Sequence, residues 1–325
     1  MRQRLAPIRH RLRCKTGPVD VLSAIVTALR TGRPRSARVA WPAPWHQRFA
    51  PVPGAVGVQV VLRGPCWLIT TGAEPTPLAA GDVLISHGGP GYALADSPTS
   101  PPTGPACGPE DITTMDPYIN HGAGSGGESA VTLCGAYELD PARTHPLLAE
   151  LPALAHLPAH LGRHADLRAV VDLLGAELQR PRLGGDAALP ALLDVMLLYA
   201  LRAWFDEQPP AGTTGWIAAL HDPATLAALH AMHRDPAHPW TVAALAAEGG
   251  LSRAPFARRF TALIGQPPLS YLTWWRMSTA ARLLRESGAP LHAIAAKVGY
   301  TSEFAFATAF KREFGAAPGR YRTRA

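Results

Sequence analysis

The last third of the chain repeats itself at an offset of 50 residues, and no other feature limits its fold as strongly. Ala246 matches Ala296, Ser252 matches Ser302, Phe256 matches Phe306 and Phe260 matches Phe310. The same offset aligns Gly265 with Gly315, Pro268 with Pro318 and Tyr271 with Tyr321, which marks an internal duplication. Each copy reads helix, tight turn, helix. In the first, Thr241 is placed to cap a helix through Ala247, Gly249 and Gly250 form the turn, and Ser252 caps a second helix reaching Leu263. In the second, the first helix is Leu291–Val298, Gly299 sits in the turn and Ser302 is the next cap. Two helices joined by a short glycine-containing turn have the shape of a helix-turn-helix unit, whose second helix enters the major groove of DNA.

Helical spacing decides which side chains of those second helices face outward. Phe256, Phe260 and Leu263 share one face and belong to a core, while Ala254, Arg258 and Thr261 lie opposite. In the second copy Phe306 and Phe310 face inward, and Phe304, Thr308 and Lys311 face out. Arg258 suits a bidentate contact with guanine. Phe304 either meets a thymine methyl or packs on a neighbouring helix. Between the copies, Leu269–Ser287 contains no Pro or Gly and reads as one helix of nineteen residues. Such a helix spans roughly 28 Å. That length would set two recognition helices about one DNA turn (~34 Å) apart, in successive major grooves on one side of the duplex.

Charge agrees with this reading. The net charge is +7, and Trp216–Ala325 holds 13 Lys/Arg against 6 Asp/Glu, so the whole excess lies in the last third. Cationic side chains displace the counterions condensed on a nucleic acid backbone. Residues 1–15 carry six Lys/Arg, no acid and no apolar core of a signal peptide, and read as a disordered tail or the product of an upstream start. Residues 16–215 then carry 12 basic against 18 acidic groups, a sign that keeps them from competing for DNA.

The first two-thirds differ in character. Asp20–Arg30 has helical spacing, and short apolar runs follow at Val56–Leu62, Cys66–Thr70, Asp82–Ser86 and Ala130–Leu139. Pro and Gly punctuate them, as in a small barrel or jelly roll. Ser97–Gly127, dense in Pro, Gly, Ser and Thr, reads as a long mobile loop. From Asp140 the pattern turns helical, with Asp166–Arg180 as one helix and Asp186–Glu207 as another, apolar nearly all round. The second packs on the barrel or on a second copy of the chain, as in a homodimer. The division expected is a basic tail (1–18), a β-rich domain with helices (19–207), a linker (208–215) and a helical DNA-binding domain (216–325, core 227–324). The fold class is α+β. No run reaches the roughly 18 apolar residues of a membrane span; the best, Val195–Leu201, is bracketed by Asp194 and Arg202. A cytoplasmic protein is the expectation.

The stretch WTVAALAAEGGLSRAPFARRFTALIGQPPLSYLTWWRM, continued by LHAIAAKVGYTSEFAFATAFKREFGAAPGRYR, resembles the AraC/XylS family of transcription regulators over Ala227–Arg324. The resemblance implies seven helices in two helix-turn-helix units bridged by a long helix. It puts the base-contacting places on Ala254, Ala257 and Arg258, then on Phe304, Ala305 and Thr308. Together with flanking polar groups, the residues expected at DNA are Ser252, Arg253, Ala254, Ala257, Arg258, Thr261, Ser302, Phe304, Ala305, Thr308, Lys311 and Arg312. Arg253, Arg258 and Arg259 give the first unit charge and reach, so it should carry most specificity. The second, with Lys311 and Arg312 for phosphates, should anchor, read methyl groups or contact RNA polymerase.

VQVVLRGPCWLIT, LAAGDVLISHGGPGYAL and TLCGAYELD resemble a cupin-like sensor domain over Val19–Asp206. Cupin enzymes hold a metal through several His and one Glu. Here Gln59 and Tyr92 stand where relatives often have His, and His46, His87 and His121 are scattered. A cupin-type metalloenzyme fused to a DNA-binding domain is the rival reading, but no catalytic residue, metal or cofactor is expected. The four cysteines, Cys14, Cys66, Cys107 and Cys134, form no C-x-x-C pair. Cys66 and Cys134 lie in expected strands and are either small buried hydrophobes or the thiols of an oxidant sensor, a role some relatives fill. A small organic effector in the barrel is the other sensing mode.

Overall fold

The computed structural model describes residues 20–29, 34–51, 55–108, 111–118, 120–123, 126–138, 145–159, 163–208 and 215–324. The basic tail and most of the expected linker lie outside them. The chain begins with α1 (Val21–Leu29), followed by β1 (Arg35–Pro42), β2 (His46–Phe49), β3 (Ala55–Arg63), β4 (Cys66–Ile69), β5 (Thr76–Leu78), β6 (Val83–Ser86) and β7 (Tyr92–Ala95). Next come β8 (Asn120–His121), β9 (Glu128–Glu138), α2 (Pro146–Ala149), β10 (Leu154–Leu157), α3 (Ala165–Glu177) and α4 (Gly185–Glu207). The last third is α5 (Gly215–His221), α6 (Pro223–Arg234), α7 (Val242–Glu248), α8 (Arg253–Ile264), α9 (Pro268–Glu286), α10 (Leu291–Lys297), α11 (Glu303–Phe314) and α12 (Pro318–Arg324).

Two sheets build the first domain, one in the order β10-β6-β3-β9-β1-β8 and one in the order β2-β7-β4-β5. Alternation along each strand sends residues to two different cores. Val39, Val61, Leu84 and Cys134 face the space between the sheets, with Trp45, Leu68 and Leu94 from the smaller one. Val58, Val60, Ile85 and Leu133 face the other way, under Ile25 of α1, Val171 of α3 and Leu197 of α4. A barrel-like β domain with flanking helices, in an α+β chain, is the fold expected.

Several details differ from the sequence reading. Leu154–Leu157 is a strand paired with β6 inside the region read as helical; its alternation buries Ala155 and Leu157 and aims the His156 Nε2 at Asp82, 2.9 Å away. The described parts of 97–127 are not a loose loop. Thr103 and Cys107 amides donate to the His46 and Arg48 carbonyls at 3.0 and 2.8 Å, and Ala50 donates to Cys107 at 2.8 Å. α4 is one-sided rather than buried all round: Leu189, Leu193, Leu197, Ala200, Leu201 and Trp204 are covered, while Val195 is exposed. It packs on its own barrel, where the Tyr137 hydroxyl donates to the Leu193 carbonyl. By length and composition alone α4 could cross a membrane, although no such span was expected.

The last third has two cores divided along one helix. The first half of α9 gives Tyr271, Leu272 and Trp275 to a core with Phe256 and Phe260. Its second half gives Met277, Ala281 and Leu284 to a core with Ile294, Phe306 and Phe310. The first of these cores runs without a break into the β domain. α1 packs on α6 and α9, and α2 packs on α5.

Candidate nucleic-acid interface

Each helix-turn-helix unit is fixed by a short list of interactions. In the first, the Thr241 hydroxyl accepts from the Ala244 amide and starts α7. Gly250 then reverses the chain at φ 67°, a left-handed conformation that favours glycine. The Leu251 amide returns to the Ala246 carbonyl at 2.9 Å, and α8 begins after Ser252. In the second, Gly299 turns at φ 82°, the Tyr300 amide returns to the Ala295 carbonyl at 2.9 Å, and the Ser302 hydroxyl accepts from Ala305 at the start of α11.

The equivalence Leu251/Tyr300 and Ala246/Ala295 is an offset of 49, not 50. Ala246 and Ala295 are both 1% exposed, whereas Ala296, its match by identity, is exposed. The second turn therefore holds one extra residue before its cap. From the caps onward the 50-residue offset is structural: Phe256 with Phe306 and Phe260 with Phe310 are all fully buried.

On α8, Arg253, Ala254, Arg258 and Thr261 are exposed, and Ala257 is half-buried between the two faces. Ile264, not Leu263, completes the buried face; Leu263 is only half-covered. On α11, Glu303, Ala305, Thr308, Lys311 and Arg312 are exposed, and Phe304 points fully outward at 82% exposure. Packing of Phe304 on a neighbouring helix is thereby replaced by an aromatic ring standing in solvent. Ser252 occupies its N-cap place, but its hydroxyl makes no capping bond.

Arg259 departs from the sequence reading. Its guanidinium pairs with Asp222, whose side chain is 4% exposed. That same carboxylate caps α6 by accepting from the Thr225 amide at 2.9 Å. Burial alone would raise the Asp222 pKa, but the Thr225 and Arg259 interactions outweigh it and hold it below its ordinary value. Arg259 therefore ties the recognition helix to α6 while its side chain stays largely exposed. Arg258 makes no ion pair among the described residues and faces solvent. Arg276 on α9 is a positioning group that the pattern of the sequence did not reveal. It donates to the Pro236 and His238 carbonyls at 2.7 and 2.9 Å, holding the loop between α6 and α7.

The family described as Cupin matches residues 20–206, and a helix-turn-helix domain family matches 245–324. The chain is 36% identical to a putative AraC-like transcription regulator of Streptomyces lividans, over 94% of this chain and 98% of that one. The chain belongs to the AraC/XylS family of transcription regulators. It is also 33% identical to the RCS-specific HTH-type transcriptional activator RclR of Escherichia coli K12, over 61% of this chain and 69% of that one. Among solved structures it is similar to the DNA-binding domain of AdpA in complex with a target DNA, with 33% identity, 32% of this chain and 92% of that chain covered, and a TM-score of 0.30. As an AraC/XylS regulator the protein binds DNA through its C-terminal domain, whose helices α6 to α12 make up the seven that the family implies.

The interior of the cupin domain offers less than its resemblance suggested. Among the described residues no three His, Cys, Asp or Glu side chains gather as a metal site. His46 bonds the Ser100 carbonyl through Nδ1 at 2.6 Å, and His121 is exposed at the β1 edge. Gln59 is buried and Tyr92 packs beside it; burial raises the Tyr92 pKa, opposed by hydrogen bonds with Gln59 and Ser86. The space they border measures about 30 Å³, room for one water and not for an organic effector. Cys66 and Cys134 are 2% and 3% exposed. Burial pushes their thiols up to about 12 and about 11. An oxidant sensor needs an accessible, low-pKa thiolate, so both fit the reading of small buried hydrophobes and neither fits the sensor.

Proposed function

We propose that this regulator reads DNA chiefly through α8, with Arg258 on base edges, Arg253 and Ser252 on phosphates, and Ala254, Ala257 and Thr261 allowing close approach. α11 follows one turn away, with Phe304, Ala305 and Thr308 against bases and Lys311, Arg312 and Ser302 against the backbone. The observation that supports this most is the exposure of both outer faces while Phe256, Phe260, Phe306 and Phe310 are fully buried. Glu303 at the start of α11 repels phosphate and makes the second unit the weaker reader. The protein acts as a regulator, not as a catalyst, in the cytoplasm, and RNA polymerase and a second copy of the chain are its protein partners. The continuous core from the β domain into the first unit couples an effector of the N-terminal domain to α8.

The test is a titration of the full chain on a fragment from upstream of its own gene, at several salt concentrations. Saturable binding with a steep loss of affinity on salt addition is expected, about 0.9 in the log–log slope for each phosphate neutralised. Binding that ignores salt, or one equally tight to unrelated DNA, would contradict the proposal.

A further inference from the structure

The roomy cavities of the N-terminal domain lie outside the barrel, between the helix-facing side of the large sheet and α3. The first measures about 440 Å³ and is lined by Arg38 of β1, Arg63 of β3 and Arg168 of α3, over the apolar walls of Leu62 and Val171. A second, of about 390 Å³, shares Gly81, Arg168 and Asp172 with the first and adds Leu157, Leu167 and Arg163. Both fall within the size of small-molecule sites, roughly 300–1,000 Å³.

The lining has one sign of charge in excess. Asp172 is the one acid along the first cavity, and it is already held by the Arg168 Nε at 3.0 Å. Arg38 is half-buried, and its guanidinium makes no ion pair or hydrogen bond among the described residues. Its neighbours Ala37 and Val39 point into the barrel, so strand alternation delivers Arg38 to the cavity side. A partly covered guanidinium without an anion, beside apolar walls, is an incomplete electrostatic site. The backbone is shaped around the third arginine as well. Gly81 adopts φ +97°, and a Cβ there would meet the Arg168 Nη1 at 2.8 Å and the Ala159 Cβ at 2.9 Å. A larger residue would strain the backbone and would need the tip of Arg168 to shift.

We infer that this cleft binds a small organic monocarboxylate with an apolar body, its carboxylate taken by Arg38 with Arg168 and Arg63 on the same wall, and its apolar part on Leu62 and Val171. The inference rests on the reading of the N-terminal domain as an effector domain, and names where that effector sits. The α3 helix that forms one wall packs on α4, so a ligand there touches the helical layer between the sheet and solvent.

Calorimetric titration of the full chain without DNA tests this, with octanoate and benzoate as probes and inorganic phosphate and octylamine as controls. Saturable 1:1 binding of a carboxylate probe is expected, weakened about tenfold or more in Arg38→Gln, the size of effect of one charge-assisted hydrogen bond. Arg63→Gln, at an exposed position, is expected to weaken binding as well, which covers the case that Arg38→Gln fails to fold. No saturable heat with either carboxylate, equal binding of phosphate or octylamine, or carboxylate binding unaffected by both substitutions would overturn the inference. Because no DNA is present, failure here leaves the reading of α8 and α11 untouched, and DNA binding is scored in its own titration.

Discussion

Lowering the pH from 7 to 5 is expected to remove about 2 kcal/mol of stability from this protein through one buried histidine, His233, with buried His145 acting in the same direction. His145, just before α2, is fully covered by Trp216 of α5 and Trp274 of α9, with ring centroids 4.5 and 4.9 Å away. Its Nδ1 accepts the Leu147 amide at 3.0 Å. His233 of α6 stacks on Trp275 at 3.8 Å and bonds the Tyr271 hydroxyl at 2.7 Å. Burial lowers both pKa values, His145 well below 6.5 and His233 to about 3. Both therefore stay neutral in the folded protein while the unfolded chain takes up protons below about pH 6.5. Their contribution is complete above that pH and declines on acidification, for His233 by about 1.4 kcal/mol per unit until its folded pKa is approached. Asp82 and Asp222 act in the same direction but lower, since their pKa values are held below 3.8. Urea unfolding at pH 7 and 5 measures the effect. His233→Gln should flatten the profile, and an unchanged profile would refute the assignment. The seam between the domains lies at His145, where Glu150 also accepts from the Trp216 amide at 2.6 Å, so acid should loosen the coupling of the cupin domain to α8.

The second large effect is on recognition. Arg258→Ala is expected to weaken binding to the specific site by about 1–3 kcal/mol, roughly 5- to 150-fold, while binding to unrelated DNA changes little. Stability should stay within about 0.5 kcal/mol, because the side chain is exposed and makes no ion pair among the described residues. Thr308→Ala, the matched change on α11, should cost less specificity. The contrast follows from the side chains: a guanidinium can grip guanine at two points, while Thr308 and the exposed ring of Phe304 offer a hydroxyl, methyl and aromatic contacts. Equal losses of specificity from the two substitutions would overturn the asymmetry.

How much of this was legible in the sequence depends on the range of the interaction. The duplication exposed the two units because Phe256, Phe260 and their counterparts must be buried at helical spacing whatever surrounds them. Their outer faces, and the bridging helix, followed from the same periodicity. The 49-residue offset of the first helices was hidden, since Ala246 and Ala296 agree by identity and only burial separates Ala295 from Ala296. Arg259 looked like a DNA contact because its partner, Asp222, lies 37 positions earlier and is brought near only by packing. The strands β1, β2, β5, β7, β8 and β10 were missed for a similar reason: they are short or mixed, and pairing with neighbours, as of β1 with β9, β2 with β7 and β10 with β6, supplies the order that local pattern lacks. The Arg38 cleft had no local signal at all, being assembled from β1, β3, β9 and α3.

On the proposed function, α9 sets the two recognition helices to meet successive major grooves. Its nineteen residues are Pro268–Glu286, about 28 Å of helix. Hydroxyl-radical footprinting of the full chain on its upstream DNA measures this spacing. Two protected patches about 10 base pairs apart on one face of the duplex are predicted, with the patch under α8 lost first in Arg258→Ala. A single patch, or uniform protection around the duplex, would contradict it.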